Sequence, residues 1–128
     1  MRVRSLVAVA LAVLAGIVVG AIGEAIYAQT KPPIYMVANI DVRDQDGYTK
    51  EYLPKAKELI LKHGGVYVAA GKGTTIDGAP AGRVVILRWK SMEQLLEWRH
   101  SPEYEAVRKI GEKYATYNLM AVDGVQQK

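Results

Sequence analysis

VYVAAGKGTTIDGAPAGRVVILRW, residues 66–89, holds the feature from which the rest of the chain can be read. Two runs rich in β-branched and apolar residues, 66–71 and 83–89, flank KGTTIDGAPAG, 72–82. Such runs favour extended backbone, and the Asp77-Gly78 pair between them marks a turn. Two strands in succession therefore occupy the middle of the sequence.

Working outward, His63-Gly64-Gly65 stands before the first of these strands. Glycine accepts the left-handed backbone that ends a helix, so a helix is expected to finish at His63. Its apolar stripe is Tyr48, Tyr52, Ala56, Leu59 and His63, with Asp44 or Asp46 as the cap. Pro54 lacks the N–H that would bond the carbonyl of Lys50, which predicts a kink or restart there. Before that helix, IYMVANIDV (34–42) is a third strand.

Beyond Trp89, Ser91-Met92-Glu93-Gln94 has the pattern of a capping box. A second cap follows at Ser101-Pro102-Glu103, where serine accepts from the first turn, proline suits the first helical position and glutamate suits the positive helix end. The spacing predicts a broken helix, 91–100 and then 102–114, followed by a last strand at 115–124. The order is β-α-β-β-α-β. This is an α+β, ferredoxin-like plan: a four-stranded antiparallel sheet with its helices on one face.

The ends of the chain read differently. Arg2 and Arg4 precede an uncharged apolar run from Leu6 to Gly23, and Ala28 provides a small residue at a cleavage position. Residues 1–28 are expected to be a signal peptide cleaved before Gln29, with a retained membrane anchor at 6–23 as the alternative. Either places the domain outside the cytoplasm, periplasmic or secreted in the first case and membrane-anchored in the second. Residues 29–33 form a linker stiffened by Pro32-Pro33, 34–125 the domain and 126–128 a tail. Zero cysteines exclude disulfides and thiol chemistry. The net charge of +4 falls to +3 without residues 1–28. So mild and interspersed a balance argues against a nucleic-acid partner.

One helical layer covers one sheet face, and an uncovered face in water should be polar. Here Val84 and Ile86 oppose Val85, Leu87 and Trp89; Met120 and Val122 oppose Tyr117, Leu119 and Ala121; Tyr35 and Val37 oppose the aliphatic set of 34–42. A sheet apolar on both sides needs a second cover. The expectation is a homodimer closed face to face into an α/β barrel, with a monomer holding an apolar ligand on the open face as the alternative.

The strand 34–42, His63-Gly64-Gly65, the Asp77-Gly78 loop, Arg83-Val84-Val85-Ile86, Ser101-Pro102-Glu103-Tyr104 and Val122-Asp123-Gly124 together resemble the domain-of-unknown-function 1330 family. The resemblance spans about residues 33 to 125 and implies a dimeric α/β-barrel fold without implying an activity. A more distant likeness is to antibiotic-biosynthesis-type monooxygenase barrels, including haem-degrading ones. It matches Asn39 and Trp98 to site positions of that group. The position where those enzymes carry a histidine holds Arg108, which has no lone pair to offer iron.

Candidate ligand-binding residues are Asn39, Tyr67, Arg88, Trp98, His100, Tyr104 and Arg108. Aromatic walls, to which Tyr35 and Trp89 also contribute, suit an organic ligand, and Arg88 or Arg108 could orient an anion. His63 reads as a helix cap, and His100 sits at the break between helices. Asp41, Asp44 and Asp46 cluster where capping explains them. No pair of ligating side chains has metal-site spacing, no phosphate-binding glycine loop stands between strand and helix, and no nucleophile elbow occurs. No cofactor is expected. The expected function is an exported dimer binding a small organic ligand without a catalytic constellation. The alternative is a cofactor-independent oxygenase or isomerase acting on a small aromatic or lactone.

Overall fold

Ile34–Val42, with its branched and aliphatic side chains, forms β1, one of the two inner strands of the sheet. The computed structural model describes residues 31–126, of which Pro33–Val125 make one compact unit. The apolar run 6–23 and the cleavage position before Gln29 lie outside the described residues.

After β1, Asp44 caps a single turn, α1 (Gln45–Gly47), by accepting the Gly47 N–H at 3.1 Å. A π-turn, Tyr48–Tyr52, leads into α2 (Leu53–Lys62). The expected disturbance at Pro54 is this π-turn, in which the Leu53 N–H reaches five residues back to the carbonyl of Tyr48. It also changes the buried stripe. Tyr48, Tyr52, Ala56 and Ile60 are buried, in steps of four, whereas Leu59 is half-buried. The wider turn advances less per residue, so the stripe ends on Ile60 instead of passing through Leu59 to His63. His63 caps α2, its N–H donating to Leu59 at 3.0 Å, and Gly64 follows with φ +93°.

β2 (Val66–Lys72) and β3 (Arg83–Trp89) form the hairpin. Its loop turns at Gly78, φ +92°, and is pinned by Thr75 Oγ1, which accepts the Ala81 N–H at 2.8 Å. Ser91 caps α3 (Met92–Arg99), accepting from Gln94 N at 3.1 Å. Gln94 Oε1 in turn accepts from Lys90 N at 2.8 Å, one residue further back than a standard capping box. Ser101 caps α4 (Pro102–Glu112), and β4 (Ala115–Asp123) completes the domain.

The sheet order is β2-β3-β1-β4, antiparallel throughout. Met36, Ala38 and Ile40 of β1 and Val85, Leu87 and Trp89 of β3 meet the buried faces of the helices. Trp89, Trp98, Tyr48, Tyr104 and Leu87 are the largest fully buried side chains. A large apolar side chain contributes about 1.5–3 kcal/mol on burial, so these five anchor the helical layer to the sheet.

The other sheet face has two halves. Ala69, Ile86, Val37 and Met120 pair in register as one apolar row across all four strands, with Tyr35 and Val122 beside it. Met120 and Val122 are 52% and 57% exposed. Towards the other end the face turns polar, with Asn39 paired to Asn118 and Asp41 to Thr116. A bulge between Tyr67 and Ala69 shifts the edge strand β2, and Val66 and Val68 are both exposed.

Candidate functional site

The π-turn, α2 and α4 do not seal completely against the sheet. Between the layers lies a cavity of about 30 Å³, room for roughly one or two water molecules. Met36, Ala38, Ile40, Val85 and Leu87 form its floor, and Leu53, Ala56, Ile60, Trp98, Tyr48, Tyr52 and Tyr104 come down from the helical side. Tyr67, Arg83, Tyr117 and Leu119 complete it from the sheet.

Its chemistry is phenolic and cationic. The Tyr52 and Tyr104 hydroxyls share a buried 2.6 Å hydrogen bond. Tyr117 adds a third hydroxyl, buried and without a partner at bonding geometry. The Arg108 guanidinium lies 3.9 Å from the centre of the Tyr117 ring, and Arg83 lies 5.8 Å from that of Tyr48. Trp98 packs on Tyr104 at 4.3 Å between ring centres and on Trp89 at 5.3 Å. Burial pushes the phenols of Tyr52 and Tyr117 above their ordinary range and Tyr67 up to about 12. Tyr48 is raised by the same cause, which the nearby charge of Arg83 opposes. These hydroxyls therefore keep their protons at neutral pH.

Of the residues singled out from sequence, Tyr67, Trp98 and Tyr104 line this cavity. Arg108 joins them through the ring of Tyr117. Asn39 and Arg88 stand on the opposite face of the sheet, exposed and paired with Val84 and Tyr35. His100 is exposed at the end of α3. Asn39 and Trp98, matched together by the monooxygenase likeness, are thus separated by the sheet. Tyr35 faces away with Asn39, and Trp89 is buried behind Trp98. The crowd of charges around His100 serves the helix break: Arg99 pairs with Glu105 at 2.8 Å and Lys62 with Glu103 at 3.1 Å.

The residues not singled out are Tyr48, Tyr52, Arg83 and Tyr117. Tyr48 and Tyr52 had a signal in the helical stripe, and Tyr117 in its alternation with Leu119. Arg83 begins β3 on the side of Val85 and Leu87, a parity that points its side chain toward the helices. No group of three or more His, Cys, Asp or Glu occurs that could hold a metal ion among the described residues.

The order of elements, the antiparallel sheet and the single helical layer define an α+β domain of the ferredoxin-like kind. Residues 33–125 match the family model described as "Domain of unknown function (DUF1330)", and the chain belongs to that family. No curated protein matches it. Among solved structures it is similar to the RPA0582 protein of unknown function from Rhodopseudomonas palustris. The TM-score is 0.61 at 18% identity, over 80% of this chain and 94% of that one. It is similar also to SnoaB, a cofactor-independent oxygenase from Streptomyces nogalater, with TM-score 0.58, 11% identity, and 75% and 96% covered. A third is a dimeric protein of unknown function and ferredoxin-like fold from Bacteroides fragilis NCTC 9343, with TM-score 0.50, 12% identity, and 71% and 95% covered. At these identities the likeness concerns the fold.

Proposed function

We propose that this domain is an exported, homodimeric binding protein that holds a small organic ligand between its sheet and its helices. The observation that carries the reading is the tyrosine-lined cavity, where aromatic walls surround a few polar groups. The lining side chains include neither a carboxylate nor an imidazole, so no general base of ordinary kind is at hand. Binding fits this inventory better than turnover.

The dimer is supported by the apolar row Ala69, Ile86, Val37 and Met120, which the helices leave uncovered, and by the dimeric ferredoxin-like neighbour. Sedimentation equilibrium of the purified protein at micromolar concentration should give two copies, and Ile86→Lys should give one folded copy. A wild-type monomer overturns the assembly. Export rests on residues 1–28; the mature chain recovered from the producing cell should begin at Gln29, and a chain beginning at Met1 overturns cleavage. For the ligand, a fragment library is screened by chemical shifts of the Trp89 and Trp98 indoles. Saturable shifts confined to Trp98 and its neighbours are expected, and their absence across the library overturns the reading.

The second reading is a cofactor-independent oxygenase or isomerase on a small aromatic or lactone, favoured by the fold shared with SnoaB. Against it stands size. A cavity that takes up benzene measures about 150 Å³, and this one, some fivefold smaller, admits one end of a ligand and not a ring. Oxygen uptake or loss of an aromatic substrate, abolished in Tyr52→Phe, would restore it.

A further inference from the structure

Apart from the weakly accepting Met36 thioether, every side-chain acceptor around the cavity is a phenol oxygen, and each of these brings a proton of its own. The remaining polar groups only donate. Arg83 Nε and Trp98 Nε1 are buried and without a hydrogen-bond partner, while the buried Tyr117 hydroxyl, which can also accept, has only the Tyr52 phenol beside it and no bond of good geometry. Tyr52 and Tyr104 satisfy one another once, and the pair still has one proton to give and one oxygen able to accept. The phenols balance among themselves, so the surplus of protons comes from the indole and the guanidinium, which only donate.

Charge points the same way. Arg83 forms no ion pair among the described residues, where the bridges are Lys62–Glu103, Arg99–Glu105 and Arg108–Glu112. Its charge meets only the neutral Tyr48 phenol at the cavity and no carboxylate, and an arginine does not lose its proton. Arg108, 12% exposed at its side chain, meets Glu112 only at 3.4 Å and leaves Nε and Nη1 buried without a hydrogen bond. Raised phenol pKa values keep Tyr52, Tyr67 and Tyr117 neutral, so the cavity cannot balance this charge by ionising them.

We infer that the cavity receives the carboxylate of a small organic acid, with Arg83 as the charged partner and Tyr117 and Trp98 as neutral donors. The volume of about 30 Å³, the space of one or two waters, suits the two oxygens of a carboxylate at the end of a ligand and excludes a ring. Buried, charge-assisted hydrogen bonds to a carboxylate are among the strongest available, which is why the class of ligand follows from the donors. The inference rests on the reading of the cavity as a ligand site and specifies its chemistry.

Acetate and acetamide have the same shape and differ in charge. Each is titrated into the purified protein at constant ionic strength while the Trp98 indole N–H is followed by NMR, its signal assigned with Trp89→Phe. Acetate should shift it saturably and acetamide should bind at least about tenfold more weakly, the scale of a charged hydrogen bond lost. Arg83→Gln should weaken acetate by a similar factor, and Arg83→Lys, which keeps the charge, should retain part of the affinity. Equal binding of the two compounds, or acetate binding unchanged in Arg83→Gln, overturns the carboxylate while leaving a ligand site. Neither compound reaching Trp98, with library fragments that do, also overturns the carboxylate alone. If nothing reaches it, both readings fall together.

Discussion

Gly111→Ala tests how closely α4 approaches the sheet. Gly111 is buried on the inner face of α4, and a methyl group there would overlap the Tyr117 hydroxyl and lie 2.6 Å from Tyr52 Cδ2 and 2.9 Å from Cε2. Both rings are packed, Tyr52 being 5% exposed, and neither offers a flexible end to swing aside. Alanine improves helix propensity by about 1 kcal/mol over glycine. Overpacking a filled core costs about 1–3 kcal/mol, and two fixed rings put this site at the upper end. The net is a loss of about 2 kcal/mol, which in a domain of this size lowers Tm by roughly 8–16 °C. Urea denaturation of the variant beside the wild type measures it. Adding Tyr117→Phe removes the nearest overlapping atom and should recover part of the loss. A Gly111→Ala protein as stable as the wild type would refute the close packing of α4 on Tyr52 and Tyr117, and with it the small cavity.

Tyr52→Phe leaves the Tyr104 hydroxyl buried without its partner, for a loss of about 1–3 kcal/mol by denaturant titration. The double change Tyr52→Phe with Tyr104→Phe should cost less than the sum of the single changes, since no orphan remains. Ser101→Ala removes a cap that accepts from Tyr104 N at 3.2 Å and donates to the Trp98 carbonyl at 2.8 Å. A loss of about 1 kcal/mol is expected from the melting curve. Alkaline pH should unfold the domain. Tyr67 titrates near 12 in the fold and near 10 when unfolded, and Tyr52 and Tyr117 are raised as well. Above pH 10 the unfolded chain thus holds fewer protons than the folded one. Stability contributed by the protonated phenols is whole below pH 10 and falls as pH rises through the folded values. Phenolate absorbance should show these tyrosines ionising together with loss of the fold; titration of Tyr52 in a folded domain would contradict its burial.

The element order was open to reading because each boundary carries local chemistry: Asp44, Ser91 and Ser101 at helix starts, Gly64 at a helix end, Gly78 in a loop. These effects act over a few residues and need no knowledge of the fold. The stripe of α2 was partly legible. Tyr48, Tyr52 and Ala56 follow from spacing, but Ile60 replaces Leu59 because Pro54 is absorbed by a π-turn, whose phase a regular helical period does not contain.

The site was harder. Strand alternation assigns Asn39 and Arg88 to one side and Tyr67, by its pairing with Leu87, to the other, yet alternation alone does not say which side the helices choose. By itself the sequence determined a β-α-β-β-α-β chain with an apolar surplus, since pattern and capping are properties of neighbours along the chain. Only the tertiary structure decided that Tyr52, Tyr104, Tyr117 and Arg83, drawn from four elements, share one small space while Asn39 looks away from it. Long-range packing brings together side chains that local rules treat one at a time.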